Sequence, residues 1–175
     1  LMEGAFDEAT GPLATSWKLE PANPIVALCY GQSLALNSMN DLATTVFDDL
    51  MSAFGQDTMT TRYDSWDELF DYCRRSANPI GRLVLCIAGQ RDERLERSSD
   101  ALCTALQLTN FWQDFGRDWR AGRLYVPRDV VVSCRAREME LEGPQLTESW
   151  MAALATCVAR TRASFEAGRA ICSGV

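Results

Sequence analysis

Residues 107–127 read Gln107-Leu-Thr-Asn110-Phe-Trp-Gln-Asp114-Phe-Gly-Arg-Asp118-Trp-Arg-Ala-Gly-Arg123-Leu-Tyr125-Val-Pro127. Apolar residues in and before this stretch (Leu102, Ala105, Leu106, Leu108, Phe111, Trp112, Phe115, Trp119) recur at helical spacing. They predict one long helix from about Ser99 to Trp119, buried over much of its circumference. Ala121-Gly122 is a stop signal for that helix, and Arg123 to Pro127 reads as an extended connector. Within the apolar helix, Gln107, Asn110, Asp114 and Asp118 fall on one narrow face. Asn110, Asp114 and Asp118 then present side-chain oxygens at steps of about 6 Å along the axis.

Two carboxylates one turn apart admit two readings. On a solvated face they repel by only about 0.2–0.5 kcal/mol, and Arg117 would neutralise them. On a buried face they need a compensating cation, because an unpaired buried charge is costly. Hard oxygen donors with room for water and phosphate oxygens suit Mg²⁺ bridging to a diphosphate. Spacing alone leaves both readings open.

Working outward, the pattern is helical nearly throughout. Pro24 to about Asn37 is a mostly apolar helix, and Asp41 to Gly55 repeats apolar residues at Leu42, Val46, Leu50 and Phe54. Ser65-Trp-Asp-Glu68 is a capping box that starts a helix at Trp66. Asn78-Pro79 breaks that helix, and a second segment continues from Pro79 to Ala88. Gln90 to Arg97 is a charged turn, Val130–Val132 is the one short strand-like run, and a last helix runs from Thr147-Glu-Ser-Trp to about Ile171. Gly81 is expected to permit close helix packing, and Trp112 and Trp119 to pack in the core. Arg74 and Arg75 sit on a solvated face or reach toward an anion. The fold class is all-α.

Composition narrows the chemistry. The 175 residues contain no histidine, which removes Ser-His-Asp and Cys-His catalysis, histidine zinc sites and an imidazole base. The net charge of −7 disfavours a nucleic-acid partner. It divides unevenly: residues 1–71 carry 12 acids against Lys18 and Arg62, whereas residues 72–175 carry 12 acids and 15 arginines. The second half is therefore suited to an anionic ligand. Seven cysteines with no C-x-x-C pair predict buried, reduced thiols in a cytosolic protein. Pro21 to Asn40 is too polar to span a bilayer, and no G-x-G-x-x-G argues for a built-in nicotinamide reductase step. No targeting segment is recognised, and Leu1 leads to the expectation of a start further upstream.

The run from Gln107 to Pro127 resembles the second aspartate-rich signature of the squalene/phytoene synthases, Q-x-x-N-x-x-x-D-x-x-x-D followed by G-R-x-Y-x-P. Tyr72-Cys73-Arg-Arg-Ser76-Ala77-Asn78-Pro79-Ile80-Gly81 resembles the family's Y-C-x-x-V-A-x-x-V-G. Its differences, together with Asn110-Phe-Trp-Gln-Asp114, are similar to the hopanoid-pathway branch, of hydroxysqualene or squalene synthase type. Arg62-Tyr63-Asp-Ser-Trp-Asp-Glu-Leu69 matches the lead-in, and the resemblance runs from about Pro24 to at least Pro127.

The resemblance implies an isoprenoid-synthase-type helical bundle with a lipid cavity, in which Mg²⁺ holds the diphosphate of presqualene or farnesyl diphosphate. Asn110, Asp114 and Asp118 would be metal ligands, with Tyr72, Asp114 and Asp118 catalytic. Gln107, Arg117, Arg123 and Tyr125 would bind substrate. A prenyl diphosphate is the implied partner, the implied location is cytoplasmic with peripheral contact at the inner membrane surface, and other pathway enzymes are further candidate partners. The family's first aspartate-rich motif has no match: Asp7 and Glu8 form no D-x-x-x-D, and Asp48-Asp49 are misplaced. The expectation is therefore a single, truncated synthase-like domain over 1–175, inactive by itself. The alternative is a non-catalytic helical interaction protein derived from such an enzyme; a terpene cyclase fits the spacing less well.

Overall fold

The computed structural model describes residues 40–173, so the helix expected at Pro24 to Asn37 lies outside them. The chain forms two units, Leu1–Ala53 and Phe54–Val175. In the first, the described residues belong to helix α1 (Asn40–Met59), where Val46, Leu50 and Ala53 are buried. The expected four-residue stripe ends early: Phe54 is exposed, and Ala53 takes the buried place. Steps of four overshoot a 3.6-residue turn, so i, i+4, i+7 stays on one face while a further four-residue step rotates off it.

In the second unit, α2 (Trp66–Ser76) starts where the sequence indicates, with Ser65 Oγ accepting the Glu68 N–H at 3.3 Å. The return half of the box shifts by one residue, because the Glu68 carboxylate accepts the Asp64 N–H at 2.7 Å. After the break at Ala77, α3 (Asn78–Ile87) resumes with Pro79 in its first turn, where a missing N–H costs nothing. A Cβ at Gly81 would stand 2.3 Å from Ser99 Oγ and 2.6 Å from Cys103 Sγ. This glycine is what lets α3 lie against α4 (Glu93–Gln113). Gly81→Val is expected to destabilise the protein by about 1–3 kcal/mol through overpacking, read as a lower urea midpoint.

α1 runs on past the expected Gly55 to Met59, and both boundaries of α4 differ from expectation. α4 starts at Glu93 rather than Ser99, because Asp92 caps it by accepting the Arg94 N–H at 2.7 Å and Glu93 pairs with Arg97 at 3.3 Å. The charged turn is thus mostly helix. The helix expected to reach Trp119 is two segments: α4 ends at Gln113, Asp114 takes φ −89° and ψ 3°, and α5 (Phe115–Arg120) follows. The Asp114 N–H to Asn110 oxygen (2.9 Å) and Asp118 N–H to Asp114 oxygen (2.8 Å) bonds preserve the register across this kink. Gly122, at φ 82°, ends α5 in the left-handed region that glycine favours.

The Val130–Val132 run is helical, within α6 (Arg128–Ser133). Pro127 precedes it, and its carbonyl accepts the Val130 and Val131 N–H groups at 3.0 and 3.1 Å, so the turn begun at Pro127 overrides β-branched propensity. A 3₁₀ turn (Glu138–Glu142) leads to α7 (Glu148–Gly168), capped by Thr147, and a final 3₁₀ turn covers Arg169–Ser173. α7 packs along α4, with Trp112 Nε1 donating to Thr161 Oγ1 at 2.8 Å. Leu124, Val126, Val130, Trp150, Ala153 and Cys157 form a core cluster, against which half-buried Trp112 and Trp119 pack as expected.

Thiol burial holds only in part. Cys73 and Cys157 are buried, and burial pushes each thiol up to about 12. Cys86, Cys103 and Cys134 are half-buried and Cys172 is exposed. Among the described residues there is no strand, and no helix is long and apolar enough to cross a membrane.

Candidate active site

The residues that the resemblance marks as catalytic, substrate-binding or metal-binding line one pocket of about 250 Å³: Tyr72, Gln107, Asn110, Asp114, Arg117, Asp118, Arg123 and Tyr125, with Phe111 added. α4 supplies Gln107, Asn110 and Phe111, and the kink and α5 supply Asp114, Arg117 and Asp118. α2 supplies Tyr72, while Arg123 and Tyr125 come from the strap that follows Gly122. In that strap residues alternate: Leu124 and Val126 are buried in the core cluster while Arg123 and Tyr125 line the pocket.

One wall is polar. Arg117 Nη2 lies 2.5 Å from Asp114 Oδ2, and its Nε lies 3.8 Å from Asp118 Oδ1. Asp114 is more exposed than Asp118, whose side chain is only 15% exposed. Burial raises the Asp118 carboxyl above its ordinary range and Asp114's charge adds to the rise, against the opposing pull of Arg117 and Arg123. The rise is therefore a matter of desolvation, which the neighbouring arginines oppose. Two carboxylates and the Asn110 amide are the oxygen donors; the described residues include no cluster of three or more Asp, Glu, Cys or His able to hold a metal. The donor set fits a hard divalent cation that keeps other positions for water or phosphate oxygens.

The other wall is aromatic. Phe111 and Tyr125 stack at 3.8 Å and 10°, and Tyr63 stacks with Tyr125 at 5.7 Å. Tyr72 meets Tyr63 edge-on at 5.8 Å and Phe111 at 6.0 Å. Its hydroxyl donates to Asp57 Oδ2 at 3.0 Å, and Arg123 Nη2 donates to the Asp57 carbonyl at 3.3 Å. Burial, and next to it the charge of Asp57, raises the Tyr72 and Tyr125 phenols; burial, then Tyr125 and Asp57, raises that of Tyr63.

These phenols keep their protons in the folded state where the unfolded chain loses them. Their folded values are raised, so their stability contribution is present below about pH 10 and fades as pH climbs through the raised values. The difference between wild-type and Tyr72→Phe absorbance titrations at 295 nm is expected to show no Tyr72 ionisation before alkaline unfolding. A normal step near pH 10 would overturn it.

Asp57, Gln56 and Tyr63 surround the pocket's aromatic wall but were not among the sequence candidates. Asp57 lies 15 residues before its partner Tyr72, a separation with no periodic signal. Phe111 was legible only as a core residue, which it also is. Arg74 and Arg75 are outside the pocket lining and both pair with Asp71. Burial alone would raise the Asp71 carboxyl, but hydrogen bonds from Arg74 and Arg75 outweigh it and hold the group below its ordinary range. Arg75 also donates to Gln56.

The sequence model of the squalene/phytoene synthases matches residues 2–175. The hydroxysqualene synthase of Rhodopseudomonas palustris is 36% identical over 128 residues, 73% of this chain and 44% of that protein. That of Zymomonas mobilis is 45% identical over 94 residues, 53% of this chain and 31% of that protein. The crystal structure of squalene synthase HpnC from Alicyclobacillus acidocaldarius superposes with a TM-score of 0.75 at 34% identity, covering 98% of this chain and 64% of that one. The chain spans less than half the length of these curated relatives.

Proposed function

The chain belongs to the squalene/phytoene synthase family, and from that premise we propose that its pocket is part of the diphosphate-handling site of a hydroxysqualene- or squalene-forming synthase. The substrate would be presqualene or farnesyl diphosphate, and residues 1–175 would form part of a single synthase domain. The observation that carries this reading is the pocket itself, with carboxylates and arginines on one wall and stacked aromatic rings on the other.

Asn110, Asp114 and Asp118 are the residues that would hold Mg²⁺, which when bound would supply positive charge to a leaving diphosphate. Arg117, released from its acids, and Arg123 would oppose the phosphate oxygens, with Gln107 and the Tyr125 hydroxyl as further polar contacts. The ring faces of Tyr72, Phe111 and Tyr125 would stabilise the carbocation left behind without offering an imidazole base. This chemistry is compatible with a chain that lacks histidine. The names of the hydroxysqualene synthase relatives favour capture of the cation by water. A cytoplasmic location, peripheral contact with a lipid surface that receives the product, and contact with neighbouring pathway enzymes follow as parts of the same proposal.

Calorimetric titration of inorganic pyrophosphate into the whole gene product tests the reading. Binding is expected with Mg²⁺ present and is expected to vanish with EDTA. Absence of binding under both conditions would overturn the proposal in favour of a non-catalytic helical protein.

A further inference from the structure

We propose that Arg62, which does not line the pocket, is a positioning residue that sets the strap carrying Arg123 and Tyr125. The inference rests on the reading of the pocket as a diphosphate site. Because residues of the strap alternate between core and pocket, a slip of one residue would exchange Arg123 and Tyr125 for Leu124 and Val126. Something must therefore hold its register.

Part of the hold is backbone. The Leu124 N–H donates to the Thr61 carbonyl at 3.0 Å and the Arg128 N–H to the Tyr63 carbonyl at 2.9 Å, around the isolated parallel pairing of Arg62 with Leu124. The remainder is the Arg62 guanidinium. Its Nη1 donates to the carbonyls of Gly122 (2.7 Å) and Thr61 (2.8 Å), fastening the turn that launches the strap to the segment it runs beside. Nε and Nη2 grip Glu138 at 3.1 and 2.8 Å, and the guanidinium lies 5.4 Å from the Trp119 ring centroid. One side chain thus joins α5, the strap, the 60–64 segment and the turn beginning at Glu138.

The exposure of this pair argues against a mainly stabilising role. Arg62 and Glu138 side chains are 37% and 47% exposed, and ion pairs of that kind add little to folding. Loss of the grip should instead loosen the strap, and with it the two side chains that meet the diphosphate.

The test uses Arg62→Ala, Arg62→Lys and Glu138→Gln in the whole gene product. It measures pyrophosphate affinity with Mg²⁺, KM and kcat for prenyl diphosphate turnover, and the thermal midpoint. Arg62→Ala is expected to weaken pyrophosphate binding and raise KM by about tenfold, with kcat and the midpoint little changed. Arg62→Lys, which can still reach the Gly122 carbonyl but cannot fork onto Glu138, is expected to recover part of the affinity, and Glu138→Gln to lie between. Unchanged affinity and KM in Arg62→Ala, beside a wild type that binds, would overturn the positioning role. So would losses that merely follow a large fall in the midpoint. A wild type that fails to bind pyrophosphate would overturn the diphosphate reading first, and this inference with it.

Discussion

Replacing Asp114 and Asp118 together by Asn in the whole gene product is expected to cut product formation by about 10²–10³-fold while leaving stability unchanged or raised. The two signs have one cause. Asp118 sits where burial raises its carboxyl and where Asp114, four residues away, adds repulsion. A carboxyl whose folded value lies above its unfolded value stabilises the protein most below the ordinary carboxylate range, and that contribution is lost as pH rises through the raised value. At neutral pH the ionised Asp118 therefore opposes folding, and an amide of the same shape relieves it. The same substitution removes both anionic oxygen donors and leaves Arg117 without its partners. A site built for function at the expense of stability behaves in this way. Product assays and urea unfolding on the same preparations check the claim. Retained turnover, or lost turnover that merely follows lost stability, would remove the metal-ligand assignment.

The parts of this site legible in the sequence are those that follow local rules. The face carrying Gln107, Asn110, Asp114 and Asp118 needs only helical periodicity, and the i+4 bonds on either side of Asp114 keep that periodicity through the kink. The end of α5 is legible because Gly122 supplies the φ of 82° that other residues avoid. The strap's reach into the pocket follows from two-residue alternation once its extended conformation is given. Local rules stop where a side chain chooses between neighbours. Glu68 bonds to Asp64 rather than closing the capping box on Ser65, and a turn begun on the Pro127 carbonyl makes a helix of a run of valines. The kink at Asp114 has no proline to announce it, and Gly116 lies within the first turn of α5 rather than at the kink itself. Asp57 and Arg62 are the least legible, because their partners lie 15 and 76 residues away and their role depends on tertiary contacts alone.

Trp150→Ala is expected to have the largest effect on stability, a loss of about 3–5 kcal/mol. The indole is fully buried in the cluster formed with Leu124, Val126 and Val130, and lies 5.8 Å from the ring of Phe115. Leu124 and Val126 are the core-facing residues of the strap, so the cavity would open directly behind Arg123 and Tyr125. Against a typical net stability of about 5–15 kcal/mol, such a loss leaves a marginal protein. Trp150→Phe separates the causes. Trp150 Nε1 donates to the Arg137 carbonyl at 3.0 Å, but that carbonyl also accepts the Glu140 N–H at 2.9 Å and keeps a partner when the indole is gone. The phenyl variant should therefore lose clearly less than the alanine variant, with most of the difference due to the cavity. Urea unfolding followed by far-UV circular dichroism reads both, free of the change in tryptophan emission. A loss below about 1 kcal/mol for Trp150→Ala would mean that the cluster collapses into the space. The strap would then owe its position to the Arg62 grip and its backbone pairing rather than to the core behind it.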